Sequence, residues 1–176
     1  KNFFCLFLVL SNIYIVLYDM KKISKKIANK KIKNMYNFFK TSHHYLAYYA
    51  LAFLLIAIIY SWIRFLQSKP FTNRSKIIAI IGMVGTHIQL LVGFILYFLS
   101  PLGFSNLSGE TMKNTVARFY AVEHPLMMMI AFVLITLGYR KSKKFAESKA
   151  KFKRIGIFYT LGLLIILYMI PWNVWL

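Results

Sequence analysis

The sequence contains little cysteine, acid or proline: its 176 residues include one cysteine, four acidic residues and four prolines. The lone Cys5 excludes an internal disulfide, a Cys-X-X-Cys redox motif and a zinc site built from several cysteines. The chain also has no glycine-rich phosphate loop, no HExxH motif and no pair of carboxylates within an apolar run. These absences exclude the commonest catalytic designs and disfavour an independent enzyme.

Apolar residues dominate what is present. They make up 59% of the chain, charged residues only 15%, and the mean hydropathy is +0.58. Such a composition excludes a disordered chain and is typical of a membrane protein that crosses the bilayer several times. The net charge of +19 would suggest nucleic acid in a soluble protein. Here the cations lie between long apolar segments, so we expect contact with the lipid bilayer and no nucleic-acid partner.

Four apolar segments are long enough to cross a membrane, which requires about 20 residues. They are residues 45–63, 77–99, 119–139 and 155–176. Only the third contains a formal charge, at Glu123. The sequence therefore predicts an all-α, integral membrane four-helix bundle over residues 35–176.

The cations are distributed unevenly between the two ends of this predicted bundle. The first–second and third–fourth connections together hold twelve: Arg64, Lys69, Arg74, Lys76, Arg140, Lys141, Lys143, Lys144, Lys149, Lys151, Lys153 and Arg154. From Met35 onward, the opposite end holds only Lys40, Lys113 and Arg118. Because basic loops remain in the cytoplasm, the sequence predicts a multi-pass protein of the bacterial inner membrane with cytoplasmic basic loops and an outer C-terminus.

Residues 1–34 contradict this charge pattern. Their seven lysines between positions 21 and 33 would lie on the outer side, and the apolar run at 3–18 is shorter than the other four. The favoured hypothesis is that residues 1–34 are a non-native extension, carrying one extra hydrophobic helix. The alternative is a poorly ordered, basic amphipathic arm on the lipid surface.

Histidines are the main polar residues within the predicted spans. Polar groups inside lipid are costly, and those retained there are candidates for function. His44, His87 and His124 lie on three different predicted helices, whereas His43 is expected at the interface. At about 1.5 Å per residue, His44 and His124 have similar depths and His87 lies nearer the midplane. His44 with His124 is therefore the best pair for two axial imidazoles on one metal.

Each candidate also has a structural explanation. His44 can bind water where its helix enters the membrane, and His87 can be a buried imidazole bonded to a backbone carbonyl. The same histidines can instead form a metal or proton pathway. Pro125 predicts a distortion of the helix at His124, since it removes a backbone donor. Glu123 is expected to pair with Arg118 or Lys40 rather than to support His124.

Several motifs resemble a family of small four-helix bacterial membrane proteins labelled cytochrome b-like. They are KTSHH at 40–44, GTHIQLLVG at 85–93, YFLSP at 97–101, SGETMK at 108–113 and VEHPLMM at 122–128. The similarity covers approximately residues 35–175. It implies histidines at the positions of His44, His87 and His124, b-type haem, and a role in electron transfer.

The leading hypothesis is a membrane-embedded electron carrier that binds haem b through two of His44, His87 and His124. Arg118 and Lys40 are the expected partners of the haem propionates. Ligation by two histidines leaves no open iron position, so we expect a carrier that exchanges electrons with a quinone or a larger respiratory membrane complex. The alternative is a non-catalytic accessory subunit with structural histidines.

Overall fold

The computed structural model describes the backbone of residues 2–175 and the side chains of residues 20–173. Its α-helices are α1 (Asn2–Leu66), α2 (Asn73–Leu99), α3 (Gly109–Lys113), α4 (Thr115–Arg118), α5 (His124–Ser142), α6 (Ser148–Tyr168) and α7 (Trp172–Trp175). A 3₁₀ turn covers Phe104–Asn106, and a π-helical turn covers Phe119–Glu123. The described backbone contains no β-strand, which confirms the predicted all-α class.

The chain divides into two compact units, Lys1–Phe38 and Phe39–Leu176. In the first, the described side chains from residue 20 onward are exposed except for the half-buried Tyr36. The side chains of the predicted apolar run at 3–18 lie outside the described residues. Everything below concerns the second unit.

Three helical segments are long and apolar enough to cross a membrane: Met20–Leu66, Asn73–Leu99 and Thr115–Ser142. They include the first three predicted spans. The predicted continuous helix over 155–176 is wrong beyond residue 168, because α6 ends at Tyr168. Pro171 cannot donate a helical hydrogen bond and disfavours helical geometry at the residue before it. The charge-free part of α6, residues 155–168, is about 21 Å long, less than the roughly 30 Å of a hydrocarbon core.

The core of the second unit lies where α1, α2, α5 and α6 meet. Its buried members come from all four helices: Leu54, Ala57, Ile58, Ala79, Ile135, Tyr139, Ile155 and Tyr159. The Tyr159 hydroxyl donates a 2.8 Å hydrogen bond to the Ala79 carbonyl, which satisfies the polar end of a fully buried ring. The four long helices therefore form one helical bundle.

Small residues bring these helices close together. A Cβ atom on Gly156 of α6 would lie 2.9 Å from Cε2 of Trp62 on α1, so the indole packs directly on the α6 backbone. The Trp62 indole N–H then donates to the Thr160 hydroxyl at 3.2 Å. Close helix contact is the default role expected for such residues in a membrane bundle.

The first basic connection begins where α1 ends in a Schellman motif. Lys69 N–H donates to the Arg64 carbonyl and Ser68 N–H to the Phe65 carbonyl, both at 3.2 Å. Ser68 takes the left-handed conformation, with φ of 51°, that this motif requires and glycine normally supplies. Pro70 then follows, so the helix cannot resume at once.

The two basic connections lie at the same end of the bundle. Phe71 N–H donates to the Ser148 hydroxyl at 2.9 Å, and the Phe71 ring lies 5.0 Å from the Phe152 ring. These contacts join the α1–α2 connection to the start of α6. The twelve cations of these two connections therefore lie at one end of the bundle, as a four-helix arrangement requires.

Candidate functional site

The opposite end of the bundle contains a distorted helix just before His124. The π-helical turn Phe119–Glu123 leads directly into α5, whose second residue is Pro125. Proline has no N–H for the carbonyl four residues earlier, that of Ala121. The Tyr97 hydroxyl of α2 donates to this carbonyl at 2.9 Å. The distortion predicted at Pro125 is thus present, and such π-turns are frequent at functional sites.

His124 links α5 to the end of α6. Its Nδ1–H donates to the main-chain carbonyl of Met169 at 2.9 Å, and its ring lies 5.7 Å from that of Phe119. Since a carbonyl can only accept, the proton is on Nδ1 in the neutral ring. Nε2 therefore keeps its lone pair and is the nitrogen suited to bind a metal.

A ring of α1 lies beside His124 and belongs to His43. The two ring centres are 6.4 Å apart and their planes are inclined by 78°. The His43 ring fills the space over Gly93 of α2, where a Cβ atom would lie only 2.8 Å from its Cε1. A glycine at position 93 is therefore what admits this imidazole between the helices.

Gln89 of α2 fixes His43 from the other side. Its amide nitrogen donates to the His43 carbonyl at 2.8 Å and lies 3.1 Å from Nδ1 of the ring. The carbonyl contact determines which end of the amide faces His43, because two oxygens would repel. The amide oxygen of Gln89 is buried and has no hydrogen-bond partner among the described residues.

The structure places His44 differently from its neighbour. The His44 ring packs edge-on against Tyr45 and Tyr48 of its own helix, at 5.2 and 5.3 Å. From the sequence, similar depths predict a pair of His44 with His124 and place His43 at the interface. Depth in the membrane cannot distinguish two adjacent residues such as His43 and His44. Their side chains point in directions about 100° apart around the helix, and this direction decides which of them faces His124.

A signal for His43 was present in the sequence. Ala50, Leu54 and Ala57 are buried on one face of α1, spaced by four and three residues. Extending that spacing backwards by seven residues leads from Ala50 to His43. Helical periodicity counted from the small apolar residues thus identifies the inward-facing histidine.

His87 lies at another level of the bundle. Its Nδ1–H donates to the Met83 carbonyl at 2.6 Å, which is the structural role considered for it, and its Nε2 lies 3.3 Å from the Thr136 hydroxyl. Thr136 follows His124 by twelve residues on the same helix, a rise of about 18 Å. One iron therefore cannot bind both His87 and His124.

The two predicted cationic partners have distinct surroundings. Arg118 Nε donates to the Glu123 carboxylate at 2.6 Å, which confirms the expected ion pair, and Nη1 donates to the Met112 carbonyl at 3.1 Å. Lys40 is exposed, and the described residues give it no ion pair. Among the described residues, Lys40 is thus a cation at this end that has no ion pair with a carboxylate.

The side chains of metal-ligating type that the structure brings together at this end include the imidazoles of His43 and His124. Among the described residues, no group of three or more histidine, cysteine, aspartate or glutamate side chains is arranged to hold a metal ion. A closed four-ligand zinc site requires more donors than this.

Comparison with protein-family models, curated proteins and solved structures finds no match for this chain. The cytochrome b-like resemblance therefore stands on the sequence motifs alone.

Proposed function

We propose that this protein is a membrane-embedded, b-type cytochrome-like electron carrier whose haem is held by His124 and an α1 imidazole. The observation that carries this proposal is the 6.4 Å between the ring centres of His43 and His124. With metal–nitrogen bonds of about 2 Å, each ring centre lies about 3 Å from a shared metal. Two imidazoles that both bound this metal would have ring centres up to about 6 Å apart.

The hydrogen bonds around His124 fit this role. A metal-binding histidine usually donates its second ring N–H to a carbonyl or carboxylate, which orients the ring. His124 does so towards Met169 and keeps Nε2 available. The proposal therefore requires no change in its hydrogen bond.

The hydrogen bonds around His43 must rearrange for this role, because the Gln89 amide nitrogen lies 2.8 Å from the His43 carbonyl and 3.4 Å from the Nε2 that would bind the metal. Binding through Nε2 places the ring proton on Nδ1, which then needs an acceptor. Gln89 carries a buried amide oxygen without a partner, and its amide nitrogen is 3.1 Å from that Nδ1. Rotating the amide by half a turn presents the oxygen to Nδ1–H, but the Gln89 side chain must then also move away from the His43 carbonyl, whose oxygen would repel it.

Haem b bound at this position supplies one-electron oxidation and reduction. Ligation on both sides leaves no open iron position, so we assign a carrier rather than an oxygen-activating enzyme. Lys40 and Arg118 are the cations available to pair with the propionates. Arg118 would have to give up its ion pair with Glu123 to do this. Its electron partner is a quinone or a larger membrane complex.

The proposed location is the bacterial inner membrane, with the basic loops cytoplasmic and the C-terminus outside. The meeting of both basic loops at one end supports this orientation. Single cysteines at Ser105 and Ala146, in a Cys5→Ser background, test it in intact cells. A membrane-impermeant thiol reagent should label the first position and not the second; the reverse would contradict the orientation.

A second candidate is an accessory bundle with structural histidines, and one observation favours it. His43, His87 and His124 each contact a polar group on a neighbouring helix: Gln89, Thr136 and Met169. Such contacts hold membrane helices together without any cofactor.

The reduced-minus-oxidised absorption spectrum separates the two candidates. Full-length protein expressed with haem supplied should show a b-type band and about one haem per chain. His124→Ala and His43→Ala should abolish it, while His44→Ala and His87→Ala should retain it. Loss of the b-type band in His44→Ala but not in His43→Ala would instead support His44 and His124 as the ligands, the pair predicted from depth. A wild-type spectrum without the band would reject the carrier and leave the accessory subunit.

A further inference from the structure

A cleft at the end of the bundle opposite the histidines has a distinct chemistry. It lies between the last turn of α5 and the start of α6, has a volume of about 270 Å³, and is lined by Lys141, Lys144, Phe145 and Arg154. Three of these four residues are cations. The cleft therefore attracts a negatively charged group.

Aromatic rings hold two of these cations in place. The Arg154 guanidinium lies over the Phe145 ring at 5.2 Å, and the Lys141 ammonium lies over the Phe158 ring at 5.3 Å. Such cation–π contacts limit the motion of long, otherwise mobile side chains. The positive charge is thus concentrated at the cleft.

No carboxylate neutralises this charge within the described part of the chain. Its two ion pairs, Lys113–Glu110 and Arg118–Glu123, are both in the segment between α2 and α5. Glu147 belongs to the same connection as the cleft but is exposed and forms no ion pair with a described residue. An external anion is therefore the complementary partner.

The cleft lies where the apolar segments begin. Lys141 is two residues beyond Tyr139, and Arg154 directly precedes Ile155. The segment Thr115–Ser142 is long and apolar enough to cross a bilayer, and a basic residue at the end of its apolar run then lies near the phosphate groups of the lipid. The volume is below the roughly 300–1,000 Å³ of sites that enclose a drug-sized molecule, so the cleft suits a headgroup rather than a whole ligand.

An apolar strip continues from the cleft along α6. Phe158 and Leu161 follow Arg154 by four and seven residues and therefore share its face of the helix. Leu161 is 46% exposed and can contact an acyl chain. A charged cleft above an exposed apolar strip matches a molecule with an anionic head and a hydrocarbon tail.

We propose that this cleft binds the phosphate of an anionic phospholipid headgroup. Arg154 can offer two parallel N–H donors to the phosphate, while Lys141 and Lys144 provide compact charges beside it. The acyl chain lies along Phe158 and Leu161. This site is independent of the haem proposal, because it occupies the other end of the bundle.

Native mass spectrometry of the full chain in detergent tests the site. The probes are phosphatidylglycerol, phosphatidylcholine with the same acyl chains, and inorganic phosphate. Lys141→Gln/Arg154→Gln should weaken phosphatidylglycerol binding about tenfold or more, since each basic residue near the lipid surface contributes measurably. Lys144→Gln should weaken it less and serves as the milder variant if the double variant fails to fold.

The matched control is Lys143→Gln/Lys153→Gln, which removes the same charge from exposed positions of the same connection that do not line the cleft. This control should change phosphatidylglycerol binding by less than about twofold. An equal loss of phosphatidylglycerol binding in the two double variants would overturn the proposal, because it would show that the lipid responds to the total positive charge of the connection and not to the cleft. Full competition by inorganic phosphate at matched concentration would overturn the lipid as the ligand.

Discussion

The hydroxyl of Tyr97 donates a hydrogen bond of 2.9 Å to the carbonyl of Ala121, the acceptor to which Pro125 has no N–H to give. The two groups belong to different helices, so a backbone defect in one is compensated by a side chain of the other. This contact holds the π-helical turn that leads into His124. The position of the His124 imidazole therefore depends on α2 as well as on its own helix.

Replacing Tyr97 by phenylalanine removes only this donor. Because the Ala121 residue is buried, its carbonyl should lose a partner without gaining water, and we expect a loss of about 1–2 kcal/mol in the free energy of unfolding. Thermal and denaturant unfolding of the purified protein in detergent measures this loss.

Tyr168→Phe is the matched control, since Tyr168 is 79% exposed and should tolerate the change with little effect. Pro125→Ala supplies the missing N–H and should reduce the cost of Tyr97→Phe. Equal costs of Tyr97→Phe with and without Pro125 would contradict the proposed compensation.

Gly93→Ala should displace the His43 imidazole. The new Cβ atom would lie 2.8 Å from Cε1 of the ring, closer than real contacts allow, so the ring must move or the helices must separate. We expect about 1–3 kcal/mol of destabilisation and, if the His43–His124 pair holds haem, loss of the b-type band.

Gly109→Ala provides the comparison for Gly93→Ala, because a Cβ atom at position 109 meets nothing within 4 Å. This variant should unfold as the wild type does. A Gly93→Ala protein with unchanged stability and an unchanged His43 signal in nuclear magnetic resonance would show that the close approach is absent.

Ser68→Gly should stabilise the protein. Ser68 occupies the left-handed conformation at the end of α1, which costs about 1 kcal/mol for a residue with a Cβ atom and nothing comparable for glycine. Part of that gain is offset by the greater freedom of glycine in the unfolded chain, so we expect up to about 1 kcal/mol. Unfolding midpoints measured in one detergent quantify the change.

The neighbouring Gln67→Gly is the control for Ser68→Gly. Gln67 is outside the left-handed region, so glycine there relieves no strain and should be neutral or destabilising. Stabilisation by both substitutions would indicate a general effect of glycine in this connection rather than relief at one residue.

Glu123→Gln removes the negative partner of Arg118. Both side chains are more than a third exposed, and solvent screening limits the contribution of such pairs to about 0–1 kcal/mol. If Arg118 serves haem propionates, freeing it should leave haem content unchanged or raise it, as measured by pyridine haemochrome absorption. A marked loss of haem would show that the pair itself supports the site.

The sequence predicted well what depends on local order along the chain. Long apolar segments predict helices wherever they occur, and the helix distortion at Pro125 follows from the chemistry of one residue. The Arg118–Glu123 pair also follows from proximity in sequence. Hydropathy does not show that α6 ends at Tyr168, because the apolar segment continues to residue 176. Pro171 is the local signal that the helix ends.

The candidate site was predicted less completely. Depth along each helix predicts His44 and His124 as a pair, and it does not distinguish His43 from His44. The separation of His87 from His124 depends on which residues of α2 and α5 face one another, as the His87–Thr136 contact shows. The hydrophobic segments of a sequence do not show which residues of two neighbouring helices lie opposite each other.

The amino-acid sequence by itself determined that this protein is helical, strongly basic in two of the connections between its apolar segments, and has histidines in or beside those segments, because each of these properties follows from residues close together in the chain. Only the tertiary structure decided that His43 approaches His124, that Tyr97 completes the backbone at Ala121, and that three cations line one cleft. The physical reason is rotational: a difference of one residue turns a side chain by about 100°, and only packing against other helices fixes the direction in which it points.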